Sequence, residues 1–381
     1  GGRVIPVRRS RGYAPEPLWL ARAAPRPLLA CGAELKNTFC LVKGDLAVVS
    51  QHIGDLVNHE TLRSFTEDVE HFRRLFDITP GLVACDPHPD YLSTRYAESL
   101  GVEVLRVQHH HAHIASCLAD NQEDGPVIGV AFDGTGYGPD GTIWGGELLV
   151  ADLTGFTRAG HLSPVPLPGG AAAIRQPWRM AAAHLDAAYA GSPPDDLAVR
   201  SRNQLDWDGV RAVTRARVNS PLTSSAGRLF DAVAAILGVL DTVTYEGQAA
   251  IGLEHLADPA ERSGYPVGVG DGDPLVIRTG DLIRAVVGDL RAGTAEATIA
   301  ARFHNGLAAA TRIACVRLRD RTGIGTVALS GGVFQNALLL DRLTGELRGH
   351  GLRVLTHHRV PPGDGGISLG QAAVAAARTI S

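Results

Sequence analysis

The sequence predicts an α/β fold in which helices cover the strands of a sheet. Apolar, strand-like runs alternate with segments of helical periodicity along most of the 381 residues. A strand, a glycine-rich turn and a second strand also occur twice, near residues 28–50 and 126–153, each time followed by helices. This repeated order indicates an internal duplication, although no residue-level repeat is visible.

The first half of the chain is organised around the earlier of these two units. Residues 1–27 are basic, proline-rich and aperiodic, and we interpret them as a lead-in segment. Residues 28–50 read as two or three short strands, with Gly44-Asp45 as a hairpin signal. The segments that follow are a helix (HETLRSFTEDVEHFRRLFD), a buried strand (GLVACD), a short helix (STRYAESLG), a strand (VEVLRV) and a helix that opens with the histidine run of VQHHHAHIASCL.

The second half continues the alternation after the later unit, PVIGVAFDGTGYGPDGTIWGGELLVADL. Residues 171–260 are predicted to be mostly helical, and residues 265–295 are rich in glycine and aspartate and carry no clear pattern. The remaining elements are a helix (TAEATIAARFHNGLAAATRIACVRLRD), a strand with a glycine turn (TVALSGGVFQN), a helix (ALLLDRLTGELRGHG), a strand (LRVLTH), a loop (HRVPPGDGGIS) and an alanine-rich helix.

Composition excludes several classes of protein. A net charge of −4 gives no electrostatic case for a nucleic-acid partner, whose footprint is usually basic. The five cysteines are odd in number, widely spread and without a C-x-x-C, which argues against a disulfide framework or a zinc ribbon. No apolar run reaches the roughly 18 residues of a membrane span. We therefore expect a cytoplasmic protein with reduced thiols.

The histidine run contains the spacing of a metal-binding helix. His109 and His113 are four residues apart and share one helix face, and two imidazoles suit zinc, iron or nickel. An exposed helix terminus is an equally good interpretation of this pair taken alone. His110 and His111 point elsewhere on the helix and are expected to be supporting or solvent-facing groups.

Two carboxylates are candidates for further metal ligands. Asp133 ends the strand-like run VIGVAFD, and Asp364 lies in the loop PPGDGGIS, before a helix. Both are positions at which α/β proteins build their sites. Considered alone, Asp133 is better explained as a turn-initiating residue, and Asp364 as a helix-capping or turn residue.

Glycine-rich segments are candidates for nucleotide binding. DGTGYG follows a strand and can present backbone N–H groups to a phosphate, but it is not followed by the Lys-Ser/Thr of a Walker loop. SGGVFQN has the same form ahead of a helix. Asp231 in GRLFDAVAAILG can accept hydrogen bonds from a ribose, while Glu147 and Glu246 have no role that spacing alone assigns.

The order and identity of these motifs resemble the C-terminal, TsaD-like region of the hydrogenase maturation carbamoyltransferase (HypF) family. The similarity runs almost the whole length, through RRSRGYAP, GAELKNTF, CDPHPDYLST, VQHHHAH, DGTGYGPDGTIWGGE, LPGGAAAIRQPWRMA, GRLFDAVAAILG, YEGQAA and ALSGGVFQN. The chain is also similar to the TsaD family, which modifies tRNA, and to antibiotic O-carbamoyltransferases.

The resemblance implies an actin-like ATPase fold with two duplicated lobes and a nucleotide in the cleft between them. Residues 28–120 would form the first lobe, residues 121–381 the second lobe with a helical insertion, and residues 1–27 the tail of a missing YrdC-like domain. It further implies a zinc or iron ion on His109, His113, Asp133 and Asp364. The implied contacts to ATP, AMP or carbamoyl-adenylate are Asp133, Gly134, Thr135, Gly136, Asp231, Gly331, Gly332 and Asn336.

The implied reaction is transfer of a carbamoyl group from carbamoyl-adenylate to the C-terminal cysteine of the partner HypE, for the cyanide ligands of [NiFe] hydrogenase. His111 and His52 are candidates for the general base, and Lys36 for phosphate support. The acylphosphatase-like, zinc-finger and YrdC-like domains of full-length relatives are not in this sequence. Ala171 and Gln176 stand where the family pattern has acids, which leaves the role of that loop open.

Two other functions are compatible with these motifs. An O-carbamoyltransferase acting on a small-molecule hydroxyl would share both sites, although RRSRGYAP and CDPHPDYLST favour the hydrogenase branch. A nucleotide-binding module that docks HypE, inactive without its N-terminal domains, is the other. A tRNA-modifying enzyme is disfavoured by the net charge and by His111, where that family carries an acid.

Overall fold

The computed structural model describes residues 5–10 and 12–379 as two β-sheets with helices packed against them. Residues 1–4 and Arg11 of the predicted lead-in, together with residues 380–381, lie outside the described residues. The α/β class predicted from the alternation of elements is confirmed.

The first sheet follows the order β2-β1-β3-β4, with β2 antiparallel to β1 and the other two strands parallel to it. Its strands are β1 (Leu18–Ala30), β2 (Cys40–Val49), β3 (Leu82–Cys85) and β4 (Glu103–Arg106). The helices of this part of the chain are α1 (His59–Leu75), α2 (Leu92–Ser99) and α3 (His109–Asp120). The side chain of Asn58 caps α1, and Phe65, Val69 and Phe72 on its apolar face are buried.

The second sheet repeats this arrangement. Its strands are β5 (Val127–Tyr137), β6 (Ile143–Ala151), β7 (Phe156–Leu162), β8 (Val165–Pro166), β9 (Leu222–Thr223), β10 (Leu275–Ile277), β11 (Thr326–Ser330) and β12 (Arg353–Leu355). The order is β10-β7-β6-β5-β11-β12; β6 is antiparallel to β5, and β11 and β12 extend the sheet in parallel from β5. Because β5, β6, β11 and β12 correspond to β1, β2, β3 and β4, the expected fold of two duplicated lobes is confirmed.

Helices fill the connections of the second lobe. They are α4 (Ala171–Arg175), α5 (Pro177–Ala188), α6 (Ala198–Arg202), α7 (Gln204–Arg215), α8 (Ala226–Ile236), α9 (Gln248–Leu256), α10 (Thr279–Arg291), α11 (Glu296–Thr322), α12 (Ala337–Gly349) and α13 (Ile367–Arg378). Residues 265–295, which carry no clear sequence pattern, contain β10 and α10.

Helices α3 and α13 lie against each other and connect the two sheets. α13 packs on α3, β1 and β2, whereas α3 also contacts β5, β6 and β11. Gly370 permits this close approach, because a Cβ at that position would overlap the carbonyl oxygen of Ala112. The histidine helix is therefore held between the lobes, and α13, at the end of the predicted second lobe of 121–381, packs on the first sheet.

Three predicted boundaries differ from the structure. β1 begins at Leu18, inside the predicted 1–27 lead-in. The part of β1 that contains prolines pairs only with β2, through register shifts, because pairing with β3 begins at Leu28. The missing proline N–H groups therefore cost no hydrogen bond to β3. Gly44 is not in a hairpin turn but lies within β2 at φ +65°, opposite Ala24 at such a shift. The DGTGY segment belongs to β5, with a register shift between Phe132 and Gly136, and the turn falls at residues 138–142.

In the described part of the chain, no helix combines the length and the apolar character that crossing a lipid bilayer requires.

Candidate functional site

Four side chains predicted as metal ligands come together at the junction of the lobes. His109 and His113 face the same way from α3, Asp133 comes from β5, and Asp364 comes from the loop before α13. One ligand atom from each lies within 4.8 Å of all the others. The helical spacing of four residues places the two imidazoles side by side, as predicted, whereas both acids arrive through tertiary packing.

The distances in this cluster fit a single divalent cation. Oδ2 of Asp133 lies 3.4 Å from Nε2 of His109 and 3.5 Å from Nε2 of His113. Oδ1 of Asp364 lies 4.0 Å and 3.8 Å from the same two nitrogens. Atoms bound to one zinc at about 2.1 Å are separated by roughly 3.4 Å in a tetrahedron, a spacing that the Asp133 distances already match and that Asp364 would reach by moving about half an ångström. Nε2 of His113 is buried and has no hydrogen-bond partner within the described ranges, which leaves its lone pair available.

A carboxylate behind the cluster orients one of the imidazoles. Nδ1 of His109 lies 2.8 Å from Oδ2 of Asp86, at the end of β3, and both side chains are fully buried. A carboxylate on the far nitrogen fixes the tautomer that presents Nε2 to a metal. Sequence reasoning missed Asp86, although GLVACD was correctly predicted as a strand, since only the packing of α3 on the sheet brings its last residue to His109.

The acids and imidazoles of the cluster shift each other's pKa. Burial favours a neutral His109, but Asp133, Asp86 and Asp364 together raise its pKa above the ordinary value. Burial and the neighbouring Asp133 raise the pKa of Asp364 to about 6, against the opposing effect of Lys36 and the two histidines. Metal binding requires ionised acids and neutral imidazoles, so a cation bound here would displace protons from the cluster.

Asp133 connects the cluster to a cavity of about 280 Å³ between the lobes. While Oδ2 of Asp133 faces the histidines, Oδ1 accepts a hydrogen bond from the N–H of Gly332 at 2.7 Å. Predicted nucleotide contacts that line the cavity are Asp133, Gly134, Asp231, Gly332 and Asn336. A ligand in this cavity therefore lies directly beside the four-residue cluster.

Charged pairs occupy the polar wall of the cavity. Lys36 enters from the loop between β1 and β2 and contacts Glu246 of the second lobe. Burial disfavours its charge, yet Asp364, Glu246 and Asp133 hold the pKa of Lys36 above its usual value. Asp231 is paired with Arg228 at 2.7 Å, a partner three residues away that sequence reasoning overlooked. The predicted position of Lys36 next to an anion site is consistent with this geometry.

Three predicted nucleotide contacts are absent from the described lining of the cavity. Thr135 and Gly136 lie at the register shift of β5, and a Cβ at Gly136 would overlap the rings of His109 and His110. Gly331 packs against the backbone of Phe132. Gly136 and Gly331 allow β5 to approach the histidine helix and β11, and the predicted phosphate contacts of this segment stay predictions.

The side chain of Asn336 lines the cavity but already has partners. Its Oδ1 accepts from the N–H of Leu339 at 2.8 Å and so caps α12. Its amide nitrogen donates to Nε2 of His304 at 2.9 Å, since Nδ1 of that ring donates to the carbonyl of Ala300. Asn336 therefore shapes the wall of the cavity through a fixed orientation.

The remaining histidines of the run are buried, so of the two expected alternatives, supporting or solvent-facing groups, the solvent-facing one is wrong. Nε2 of His111 donates to the carbonyl of Asp152 at 2.7 Å, and its ring packs on Phe156. Burial lowers the pKa of His111 to about 4. The structure gives no support to His111 as general base, because its ring faces away from the cluster into the β6–β7 connection. His110 packs between His109 and Trp144.

His52, the other candidate base, is half-buried, and its backbone N–H donates to the carbonyl of Arg9 at 2.7 Å. Burial together with Arg8 lowers the pKa of its ring. A ring that is neutral at physiological pH can accept a proton, which is compatible with the predicted role.

Matches to known families follow the two lobes. Residues 23–120 match the model described as the HypF Kae1-like domain, and residues 129–371 match the one described as the carbamoyltransferase, Kae1-like domain, second subdomain.

Relatives and solved structures agree with those matches. Carbamoyltransferase HypF2 of Cupriavidus necator is 44% identical over 98% of this chain, which spans 49% of that relative, about half its length. A carbamoyltransferase HypF homolog from the same organism is 41% identical, with 92% of this chain and 91% of the relative covered. The crystal structure of full-length HypF in its phosphate- and nucleotide-bound form superposes with a TM-score of 0.93 at 42% identity, over 97% of this chain and 58% of that one.

Proposed function

Because this chain belongs to the HypF carbamoyltransferase family, we propose that it transfers a carbamoyl group from carbamoyl-adenylate to a cysteine thiol. The acceptor is the C-terminal cysteine of HypE, and the product serves the cyanide ligands of [NiFe] hydrogenase. The single observation that carries the proposal is Asp133, which faces the histidines with one oxygen and the cavity wall with the other. One side chain thus joins a metal-ligand cluster to a nucleotide-sized cavity.

The chemistry requires one bond to form and one to break. The thiol sulfur attacks the carbamoyl carbon, the bond from that carbon to the phosphate oxygen breaks, AMP leaves, and the thiol proton passes to a base. A zinc or iron ion held by His109, His113, Asp133 and Asp364 would polarise the carbamoyl or phosphate oxygen. Cysteine needs less activation than a hydroxyl nucleophile, so a half-buried base such as His52 is sufficient.

The residues around the cavity hold the adenylate in place. Lys36, already next to Asp133 and Asp364, can exchange its contact with Glu246 for the phosphate. The buried Arg228–Asp231 pair offers a carboxylate to the ribose. Asp86 keeps His109 in one tautomer, so the cluster is preorganised before the thiol arrives.

The test is transfer from preformed carbamoyl-adenylate to a peptide ending in cysteine. We expect a mass gain of one carbamoyl group on the peptide with the wild-type chain, and at least about 100-fold less with Asp364→Asn. Asp90→Asn, which changes an exposed acid, is the matched control and should transfer normally. Labelling of an aminoglycoside-like alcohol in place of the peptide would identify an O-carbamoyltransferase.

A binding module that docks HypE is the second candidate, since the chain spans only about half of HypF2. Against it, the chain spans 91% of one HypF homolog, so this region also occurs as most of a protein. Normal AMP binding without transfer to either acceptor would favour the docking module.

A further inference from the structure

The segment from Ile5 to Arg9 crosses the cleft between the lobes. Ile5 packs against the hydrophobic core of the second lobe, and Val7 lines the cavity beside Lys36 and Gly134. Arg9 is buried against the first lobe. A segment predicted only as a lead-in therefore contacts both lobes and the ligand cavity.

Arg9 anchors this segment firmly. Its guanidinium is 1% exposed and donates to the carbonyls of Val49 at 3.4 Å, Arg359 at 3.0 Å and Tyr13 at 2.7 Å. Its own carbonyl accepts from the N–H of His52 at 2.7 Å. Buried charge-assisted hydrogen bonds of this kind hold a backbone in one position, so Val7 and Arg8 are fixed next to the cavity.

The described wall of the cavity has no positive charge that is free of an acidic partner. Both cations of its described wall are already paired, Arg228 with Asp231 and Lys36 with Glu246, which Lys36 must release before it can bind a phosphate. Asp133 adds a further carboxylate to that wall. A phosphate entering the cavity would gain from a cation that is not committed to an acid.

Arg8 meets this description. It is exposed and has no hydrogen bond or ion pair to any residue of the ranges 5–10 and 12–379. Arg8 lies between Val7, which lines the cavity together with Lys36, and Arg9, whose carbonyl accepts from the N–H of His52. The backbone of Arg8 is therefore fixed at the cavity mouth, within reach of a long arginine side chain.

We propose that residues 5–9, which we term the strap, retain the nucleotide: Val7 covers the nucleoside and Arg8 binds its phosphate. The inference deepens the proposed function, since it rests on an adenylate occupying this cavity. Val7 is 58% exposed, which leaves apolar surface for a ligand to cover. The strap would slow release of the adenylate before the thiol attacks.

The first experiment separates phosphate binding from nucleoside binding in the full chain. Arg8→Ala should weaken AMP binding about tenfold by calorimetry, because one charge-assisted contact is lost, while adenosine affinity changes less than about twofold. Arg63→Ala removes an exposed arginine of α1 and should leave both affinities unchanged. Equal AMP affinity in the two variants, or an equal loss for adenosine, would overturn the role of Arg8.

The second experiment tests whether Val7 covers the nucleoside. Val7→Ala should increase the dissociation rates of AMP and adenosine alike by about threefold in stopped-flow measurements with fluorescent analogues. Val57→Ala, at an exposed valine outside the cavity lining, is the control. Unchanged dissociation in Val7→Ala contradicts the strap.

The outcome for the wild-type chain distinguishes the two proposals. If wild type binds AMP normally and the strap variants do too, only the strap is wrong. If wild type binds neither AMP nor adenosine, the nucleotide site fails and the proposed function fails with it. Both substitutions are at exposed positions, so unchanged melting temperatures will show that the fold is intact.

Discussion

His109 and His184 are both helical and almost fully buried, yet their surroundings differ completely. Asp86, Asp133 and Asp364 surround His109 and raise its pKa. His184 on α5 lies in the second-lobe core, where burial alone lowers its pKa to about 4, and its Nε2 has no partner among the residues described. Burial by itself thus produces a neutral core histidine, and converging carboxylates turn an equally buried one into a candidate metal ligand.

Removing an imidazole from the acidic surroundings should have the largest effect. For His113→Ala we expect zinc or iron affinity to fall by more than about 100-fold, beyond the range typical of an outer-shell change. Competition with a chromogenic chelator measures this affinity. His184→Leu is the matched control and should bind metal like wild type; equal losses in the two variants would remove the distinction between the two environments.

His184, the core histidine, should instead make the free energy of unfolding depend on pH. The pKa of His184 is about 4 when folded and about 6.5 when unfolded, so the unfolded chain takes up the proton first. Its stabilising contribution is therefore complete above pH 6.5, is lost as the pH falls from 6.5 to 4, and changes no further below 4. Over that window the loss is about 3 kcal/mol. Urea unfolding of wild type and His184→Leu should show this difference; parallel pH profiles would contradict it.

A smaller loss of metal affinity is expected when Asp86, which contacts His109 from behind the cluster, is changed. Asp86→Asn keeps a hydrogen-bonding group next to His109 but removes the charge that fixes its tautomer, so metal affinity should fall about 10–100-fold. Asp90→Asn in the same loop provides the control. An Asp86→Asn protein with wild-type affinity would mean that Asp133 and Asp364 alone define the site.

His111 should behave like His184 even though it shares a helix with the ligands. His111→Gln should change metal affinity by less than about twofold, while the lost hydrogen bond to Asp152 lowers the free energy of unfolding by about 1 to 3 kcal/mol. Chelator competition and urea unfolding give the two quantities. A loss of metal binding as large as that of His113→Ala would restore His111 as a functional candidate.

Local sequence periodicity determined much of this molecule by itself. The α/β class, the duplicated strand units, the helix α1 and the pairing of His109 with His113 all depend on spacings of two to four residues, which the chain obeys wherever it lies in the fold. Glycine motifs were recognised for the same reason, and the structure adds that Gly136 and Gly331 lie in close packing.

Residue spacing alone did not decide what faces the histidines: Asp133 and Asp364 were expected there only from the family resemblance, and Asp86 was found only in the tertiary structure. Asp86, Asp133 and Asp364 come from separate elements, and the meeting of their oxygens depends on how α3 and α13 pack between the sheets. Residue spacing does not predict the ion pair between Lys36 and Glu246 across the lobes. It also does not predict that residues 5–9 pass over the cavity. Such contacts form when apolar faces that are far apart in the chain are buried together. Local patterns identify these faces but do not show which of them pack against each other.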